Sequence, residues 1–369
     1  MIRTTVSMIL TTLLLIGIHQ RCMGQSPTAK SQKKVSAYYP PTNGGWAKAS
    51  PTDAGWDAEK LKLALEYAGE QKSSGVVILL DGKILAEQFW NPKRSFRYRS
   101  MLREANSSGQ SREDVASVQK SVAAVLLGIA IDKKLVTIDD PVHQHLGTGW
   151  SRASEQQESQ ITLKHVVSMT TGLNDQLKFQ SEPGKRWRYN TNAYSRIMNV
   201  LEVASKMDRN QLTRKWLSDP IGMTESEWDV RPFAKDDPKT NRHGFVTSAR
   251  DLARFGLLVQ NEGKWKKKQI VSNGDYWKSM VTSSQTMNSS YGYLWWLNGQ
   301  PSIVRQARTI KGPLLKPAPE DTIAALGALG RKVYVVPSMK LVVTRLGDAP
   351  GAKFDNEFWE RLMAAAPEK

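Results

Sequence analysis

Strand-forming segments stand near both ends of this 369-residue chain, and helical ones fill its middle. A single sheet must then be assembled from the two ends, with the middle inserted between them. Near the amino terminus, Val76-Val77-Ile78-Leu79-Leu80 and Lys83-Ile84-Leu85-Ala86-Glu87-Gln88-Phe89 flank Asp81-Gly82, which predicts a β-hairpin around a two-residue turn. Late in the chain, Lys332-Val333-Tyr334-Val335-Val336 and Lys340-Leu341-Val342-Val343-Thr344-Arg345-Leu346 form a second hairpin-like pair, and residues 291–296 read as a further strand. Leu61, Leu65 and Ala68 make an apolar stripe on a helix that Asp57 can cap, and residues 354–365 read as a final helix with Phe358, Leu362 and Met363 on its apolar side. From Ser117 to about Gln269 the periodicity is mainly helical, most clearly over 200–204 and 249–258. The domain reading is therefore a sheet domain from residues 46–115 plus 280–369 and a mainly helical domain over 116–279.

Residues 1–24 read as a signal peptide. Arg3 precedes the apolar run 6–18, which is too short to span a bilayer comfortably, and polarity rises at Gln20 and Arg21. This predicts export to the periplasm or the medium. Cys22 is the only cysteine, and Arg21 directly before it argues against a lipoprotein signal. Cleavage near residues 22–26 leaves a mature chain with no disulfide and no thiol nucleophile. Residues 25–45, rich in Pro, Ser, Lys and Gly, read as a linker or amino-terminal arm. The formal charge is +17, and about +15 without Arg3 and Arg21. The cations lie in short scattered clusters with no recognition motif or zinc finger, so no specific nucleic-acid partner is expected. A basic surface that associates weakly with anionic envelope material is. No later segment is apolar for long enough to cross a membrane.

The chemistry centres on Ser117-Val118-Gln119-Lys120, at the mouth of the apolar run 121–130. On a helix Ser117 and Lys120 share a face, about one turn apart. A lysine held against a serine hydroxyl can take its proton when burial and neighbours lower the ammonium pKa. Alone, S-x-x-K recurs by chance, so its weight depends on the rest of the chain. Further on, Pro183-Gly184 makes a turn before Tyr189-Asn190-Thr191-Asn192. A tyrosine there can act as base or proton shuttle if nearby cations depress its pKa. His143-Gln144-His145 lacks a third ligand nearby, so no metal site and no cofactor are expected.

The chain resembles the serine beta-lactamase and penicillin-binding-protein superfamily. It is closest to the branch holding class C beta-lactamases, D-amino-acid peptidases, beta-lactamase-like esterases and 6-aminohexanoate oligomer hydrolases. Ser117 to Lys120 matches the first motif. Lys134-Leu135-Val136-Thr137-Ile138-Asp139-Asp140-Pro141-Val142 is similar to the family's Gly-x-Leu-x-Leu-Asp-Asp-Pro-Val phrase, and Thr247 to Gly256 is similar to its Ser-Thr-Ala-x-Asp-Leu-Ala-Arg-Phe-Gly helix. The resemblance implies an α+β, beta-lactamase/transpeptidase-like fold: an antiparallel sheet flanked by helices, with an inserted mostly helical domain. It implies Ser117 as nucleophile, Lys120 as its base and Tyr189 as proton shuttle, with backbone N–H groups of Ser117 and Arg331 as the oxyanion hole.

Two motifs depart from the family pattern. Thr191 stands where the second motif carries an amide side chain, with Asn190 and Asn192 each one residue out of register. In the third, Ala328 takes the position of a cation or histidine, Gly330 is retained and Arg331 stands where glutamine is common. Thr191, Asn190, Asn192, Ala328 and Gly330 are the candidate substrate contacts. A missing cation at Ala328 removes a partner for the carboxylate of a penicillin or peptide. The resemblance then implies a serine hydrolase that cleaves an ester or amide of a small molecule. A beta-lactamase or D-peptidase is the alternative within catalysis, and a catalytically impaired cell-envelope binding protein is the alternative outside it.

Overall fold

The computed structural model describes Met1, residues 37–305 and residues 308–368. The signal-like segment and the arm as far as residue 36 lie outside the described residues. The end of the arm is packed: Tyr39 meets Trp265 edge-on at 5.0 Å, and Arg254 donates to the Pro41 carbonyl at 2.7 Å.

Helix α1 (Ala58–Glu70) starts at Asp57, whose carboxylate accepts from the N–H groups of Glu59 and Lys60 at 3.1 and 3.0 Å. Strands β1 (Ser73–Leu80) and β2 (Lys83–Phe89) form the expected hairpin, with Asp81 and Gly82 both at positive φ, as a two-residue turn of this hand requires. A small four-stranded antiparallel sheet follows, built from β3 (Leu102–Arg103), β4 (Arg112–Asp114), β5 (Glu227–Val230) and β6 (His243–Thr247) in the order β3-β4-β6-β5. This sheet is unforeseen, and β5 and β6 interrupt the stretch read as mainly helical, because strands of two to five residues carry too little alternation to register. Between β4 and β5 run the long helix α2 (Gln119–Asp132) and helix α3 (Arg196–Ser205), among shorter turns. Helix α4 (Ala249–Gln260) precedes a small hairpin of β7 (Lys264–Trp265) and β8 (Lys268–Gln269).

The remaining strands are β9 (Trp296–Leu297), the hairpin β10 (Ser302–Arg305) and β11 (Arg308–Lys311), then β12 (Ile323–Leu326), β13 (Lys332–Val336) and β14 (Leu341–Gly347). Helix α5 (Phe354–Ala365) closes the chain. The main sheet is antiparallel, in the order β2-β1-β14-β13-β12-β9, so the two ends of the chain meet where Ile78 pairs with Val343. Alternation along β13 and β14 gives the sheet two apolar faces. On one, Tyr334 meets Trp359 of α5 at 5.3 Å. On the other, Val333 and Val342 press on α4 at Gly256, where a Cβ would lie 2.4 Å from Val342 Cγ1. Helix α4 therefore packs on the sheet, although it falls in the mainly helical stretch of the sequence. The protein has an α+β fold: antiparallel sheets flanked by helices, with a mostly helical region inserted between the strands.

Candidate active site

Ser117 sits where β4 hands over to α2. Val115 follows the strand, its N–H donating to the Phe245 carbonyl at 2.9 Å, and Ala116 adopts a left-handed φ of 50°. Ser117 then lies in one turn of 3-10 helix, Ala116–Val118, that runs into α2. The left-handed alanine is strained and needs a restraint. Asp114 supplies it, accepting from the Ala116 N–H at 2.8 Å while its carboxylate, 1% exposed, also takes Arg231 at 2.6 and 3.1 Å. Arg231 donates onward to Gln119 Oε1 at 2.9 Å, and Gln119 donates to the Tyr194 hydroxyl. The turn that presents Ser117 is thus tied to three elements by a buried, fully engaged polar network. Asp114 and Arg231 carry no motif signal in the sequence. Their roles appear only when β4 and the segment after β5 come together.

Lys120 occupies the first turn of α2, 1% exposed. Its Nζ lies 3.0 Å from Ser117 Oγ and 3.3 Å from Thr191 Oγ1. Nζ lies over two aromatic faces, 4.7 Å from the Tyr189 ring centre and 4.3 Å from that of Tyr194. Burial, and after it the positive charge of Arg231, holds the Lys120 pKa well below its usual 10.5. The neutral amine so favoured can accept the Ser117 proton across the same 3.0 Å contact.

The depression on which a basic role for Tyr189 would depend does not occur. Burial pushes its phenol pKa up, only partly offset by the neighbouring Ser117 hydroxyl. The nearby cations Arg186 and Arg188 face a cleft, whereas the ring packs among aromatics: stacked on Trp296 at 5.8 Å and edge-on to Tyr291 at 6.2 Å. Tyr189 is therefore a protonated phenol at neutral pH, suited to donate a hydrogen bond rather than to take a proton first. Trp187 joins the same cluster, 5.5 Å from Tyr291, and also lines the cleft.

The sequence model of the beta-lactamase family matches residues 62–367, most of the chain. The chain belongs to the beta-lactamase family. An uncharacterised protein of Alkalihalophilus pseudofirmus is 22% identical over 308 residues, covering 76% of this chain and 84% of that one. Among solved structures, one from Bacillus anthracis, provisionally assigned as a 6-aminohexanoate-dimer hydrolase, is similar with a TM-score of 0.64. The likeness covers 90% of this chain and 91% of that one, at 14% identity. EstCE1, a hydrolase with promiscuous acyltransferase activity, is similar with a TM-score of 0.59 at 14% identity, covering 83% of this chain and 98% of that one. At these identities the solved structures speak to the fold.

In this beta-lactamase-family chain the third motif forms a turn rather than a straight strand. After β12, Gly327 packs against the segment that carries Ser117: a Cβ there would lie 2.4 Å from the Val115 carbonyl oxygen and 3.2 Å from Val118. Ala328 follows and lines the cleft beside Ser117. Arg331 is placed differently, with its side chain fully buried in an ion pair with Glu113, and it lines neither cavity that reaches Ser117. Gly330, at a φ of 75°, backs onto Arg345 and Pro350 and lines neither cavity that reaches Ser117. Of the second-motif candidates, only Thr191 joins Lys120. Asn190 is a helix cap, accepting from the N–H groups of Asn192 and Ala193 and donating to the carbonyls of Leu173 and Asn174. Asn192 ties the loop to Asp175 and Asn241. Both amides are engaged in holding the loop.

Gly327→Val should act through this contact. The obstructing atom is backbone, so β12 must shift, and a displacement of about 1 Å at a reacting centre costs on the order of 100-fold in rate. We expect a loss of that size in kcat/KM with an unchanged circular dichroism spectrum.

Two cavities meet at Ser117 and Ala328. One, about 1080 Å³, runs along Trp187, Tyr189 and Trp296 towards the β10–β11 hairpin. The other, about 730 Å³, holds Lys120 and Thr191 and opens between Phe96, Met101 and Phe233. Phe96 and Phe233 are 89% and 58% exposed, which gives this arm an apolar mouth. Among the described residues, no helix is long and apolar enough to cross a membrane, and no group of three His, Cys, Asp or Glu side chains is placed to hold a metal ion.

Proposed function

We propose that this protein is a serine hydrolase that cleaves an ester or amide of a small molecule through an acyl-enzyme. The observation that carries the reading is the 3.0 Å contact between Ser117 Oγ and a buried Lys120 whose pKa is held low, in a chain of the beta-lactamase family. Ser117 Oγ attacks the substrate carbonyl carbon while its proton passes to neutral Lys120 Nζ. The oxyanion forms at the amino-terminal end of α2, where the Ser117 N–H is directed by the Ala116 turn and the helix dipole adds to its field. The position of Ala328 supports its own N–H as the second donor, in place of that of Arg331. On collapse, the carbon–leaving-group bond breaks, and the Tyr189 phenol donates the proton to the leaving oxygen or nitrogen. Lys120 restores the phenol proton. Water then attacks the acyl carbon with its proton accepted at the same Lys120–Tyr189 pair, and as the bond from that carbon to Ser117 Oγ breaks the pair returns the proton to Oγ, releasing the acid and free Ser117.

Within the same reading the segment from Arg3 to Ile18 directs export to the periplasm or medium.

A fluorophosphonate probe tests the reading. Labelling confined to Ser117 is expected, and folded protein that takes no label would overturn it and favour an impaired binding protein. On a panel of short-chain nitrophenyl esters, nitrocefin and D-Ala-D-Ala peptides, we expect rapid ester turnover and negligible nitrocefin hydrolysis. Ala328 offers no cation beside the carbonyl site for the carboxylate that adjoins a beta-lactam ring. The reverse ranking would reject that argument.

A further inference from the structure

The larger cavity has an electrostatic character that the reaction at Ser117 does not require. Five cations line it, Arg186, Arg188, Arg305, Arg308 and Lys332, against two carboxylates, Asp175 and Asp355. Two of the cations are already neutralised. Arg188 forms a two-pronged pair with Asp175 at 3.2 and 3.0 Å, and Lys332 is held by Asp355 at 2.5 and 2.7 Å. Arg186, Arg305 and Arg308 form no ion pair among the described residues.

Arg305 and Arg308 stand directly opposite each other at the end of the β10–β11 pairing. Like charges in that register destabilise a hairpin unless something answers them. Arg305 is also positioned: its guanidinium lies 5.5 Å from the Trp296 ring, and that ring is the one stacked on Tyr189 at 5.8 Å. One wall of the cavity thus runs from the reacting hydroxyl across two stacked rings to an arginine pair. A guanidinium can meet a carboxylate through two parallel N–H bonds.

We propose that this arm recognises a substrate that carries an anionic group at its far end, joined to the scissile carbonyl by an apolar spacer that lies along Tyr189 and Trp296. The proposal deepens the hydrolase reading and rests on it. One ring-to-ring step of 5.8 Å and one ring-to-guanidinium step of 5.5 Å set the reach beyond Tyr189. An extended chain advances about 3.5 Å per three bonds, so a spacer of about nine bonds covers that distance. An anion adjoining the carbonyl, as on a beta-lactam, falls short of the arginines, and this keeps the proposal consistent with weak nitrocefin hydrolysis.

The test compares 4-nitrophenyl hemisuberate with 4-nitrophenyl octanoate, esters matched in chain length and differing in the terminal carboxylate. In the wild type, kcat/KM for the hemisuberate should exceed that for 4-nitrophenyl hemimalonate, and its advantage over octanoate should shrink as salt is raised. Arg305→Ala, and more so Arg305→Ala/Arg308→Ala, should lower the hemisuberate-to-octanoate ratio by about two- to fivefold, the scale of a charged contact made by exposed side chains. Lys266→Ala/Lys267→Ala removes equal charge on a distant exposed turn and should leave the ratio where it was. An unchanged ratio in the arginine variants, with octanoate still hydrolysed, overturns the anionic arm and leaves the hydrolase reading standing. If neither ester is hydrolysed, the hydrolase reading fails. Calorimetric binding of suberic acid monophenyl ester to Ser117→Ala protein then decides the arm alone: binding weakened in Arg305→Ala/Arg308→Ala supports it, and equal binding rejects it.

Discussion

Ser117→Ala is expected to lower ester kcat/KM by about 10⁴-fold or more and to remove all fluorophosphonate labelling, with the fold intact. Lys120→Ala should cost nearly as much, and the double variant little more than either alone, because the two groups perform one proton transfer. The pH profile identifies the base. Burial holds Lys120 well below 10.5, so the neutral amine forms as pH rises through that lowered value. In kcat/KM for the free enzyme this produces an acid limb that rises with pH and levels off well before pH 10.5. Lys120→Arg keeps a cation and should abolish activity at every pH, since guanidinium does not deprotonate in this range.

The same lysine should weaken the fold. The native state binds fewer protons at Lys120 than the unfolded chain, so its presence costs stability. That cost is largest below the lowered native pKa and vanishes as pH rises past 10.5. Lys120→Met should therefore unfold in no less urea than wild type at neutral pH, and the variant should lose the wild type's gain in stability at alkaline pH. A Met variant clearly less stable at neutral pH would reject a neutral buried amine.

The second large effect is expected at Asp114. Removing one partner of a buried ion pair leaves the other charged and unanswered, at a cost of about 3–5 kcal/mol. Asp114→Ala strands Arg231 and also frees the Ala116 N–H, which the carboxylate holds at 2.8 Å. Urea unfolding should register a loss of that size. Activity should fall even where the variant is folded, because Ala116 no longer has a restraint at its left-handed φ. Arg152 and Asp237, 45% and 33% exposed, provide the contrast. Asp237→Ala should cost less than about 1 kcal/mol, as exposed pairs do. Equal losses in the two variants would show that the Asp114 network is not what holds the turn.

The parts of this protein that could be read from the sequence are those governed by local chemistry. The Asp81-Gly82 hairpin, the Asp57 cap and the last helix at 354–365 each depend on residues within a few positions of one another, and each forms as expected. The stretch 291–296 does not. Its aromatic residues favour strands, but Leu294 takes a φ of 61° and only Trp296 and Leu297 reach the sheet edge. Ser117 and Lys120 were legible because a helix fixes their relation. Tyr189 was legible in place but not in charge state, because its pKa depends on rings from residues 291 and 296 rather than on the arginines beside it in the chain. The assignment of Asn190 and Asn192 as substrate contacts could not anticipate that loop carbonyls would engage both amides. The arginines of β10 and β11 belong to no motif, and only the fold aligns them with Trp296.

The pairing of β1 with β14 sets the order in which this molecule can become itself. Ile78 leaves the ribosome early and Val343 almost last, yet each is the other's neighbour in the middle of the sheet. Until the final strand arrives, β1 presents an open apolar edge with no partner, and the cost of closing so long a loop delays its capture. Every chain therefore passes through a stage at which most of the residues around Ser117 have been made and none can be held in place. A product cut short before residue 341 is left with that edge exposed, a template for association with other chains rather than a smaller enzyme.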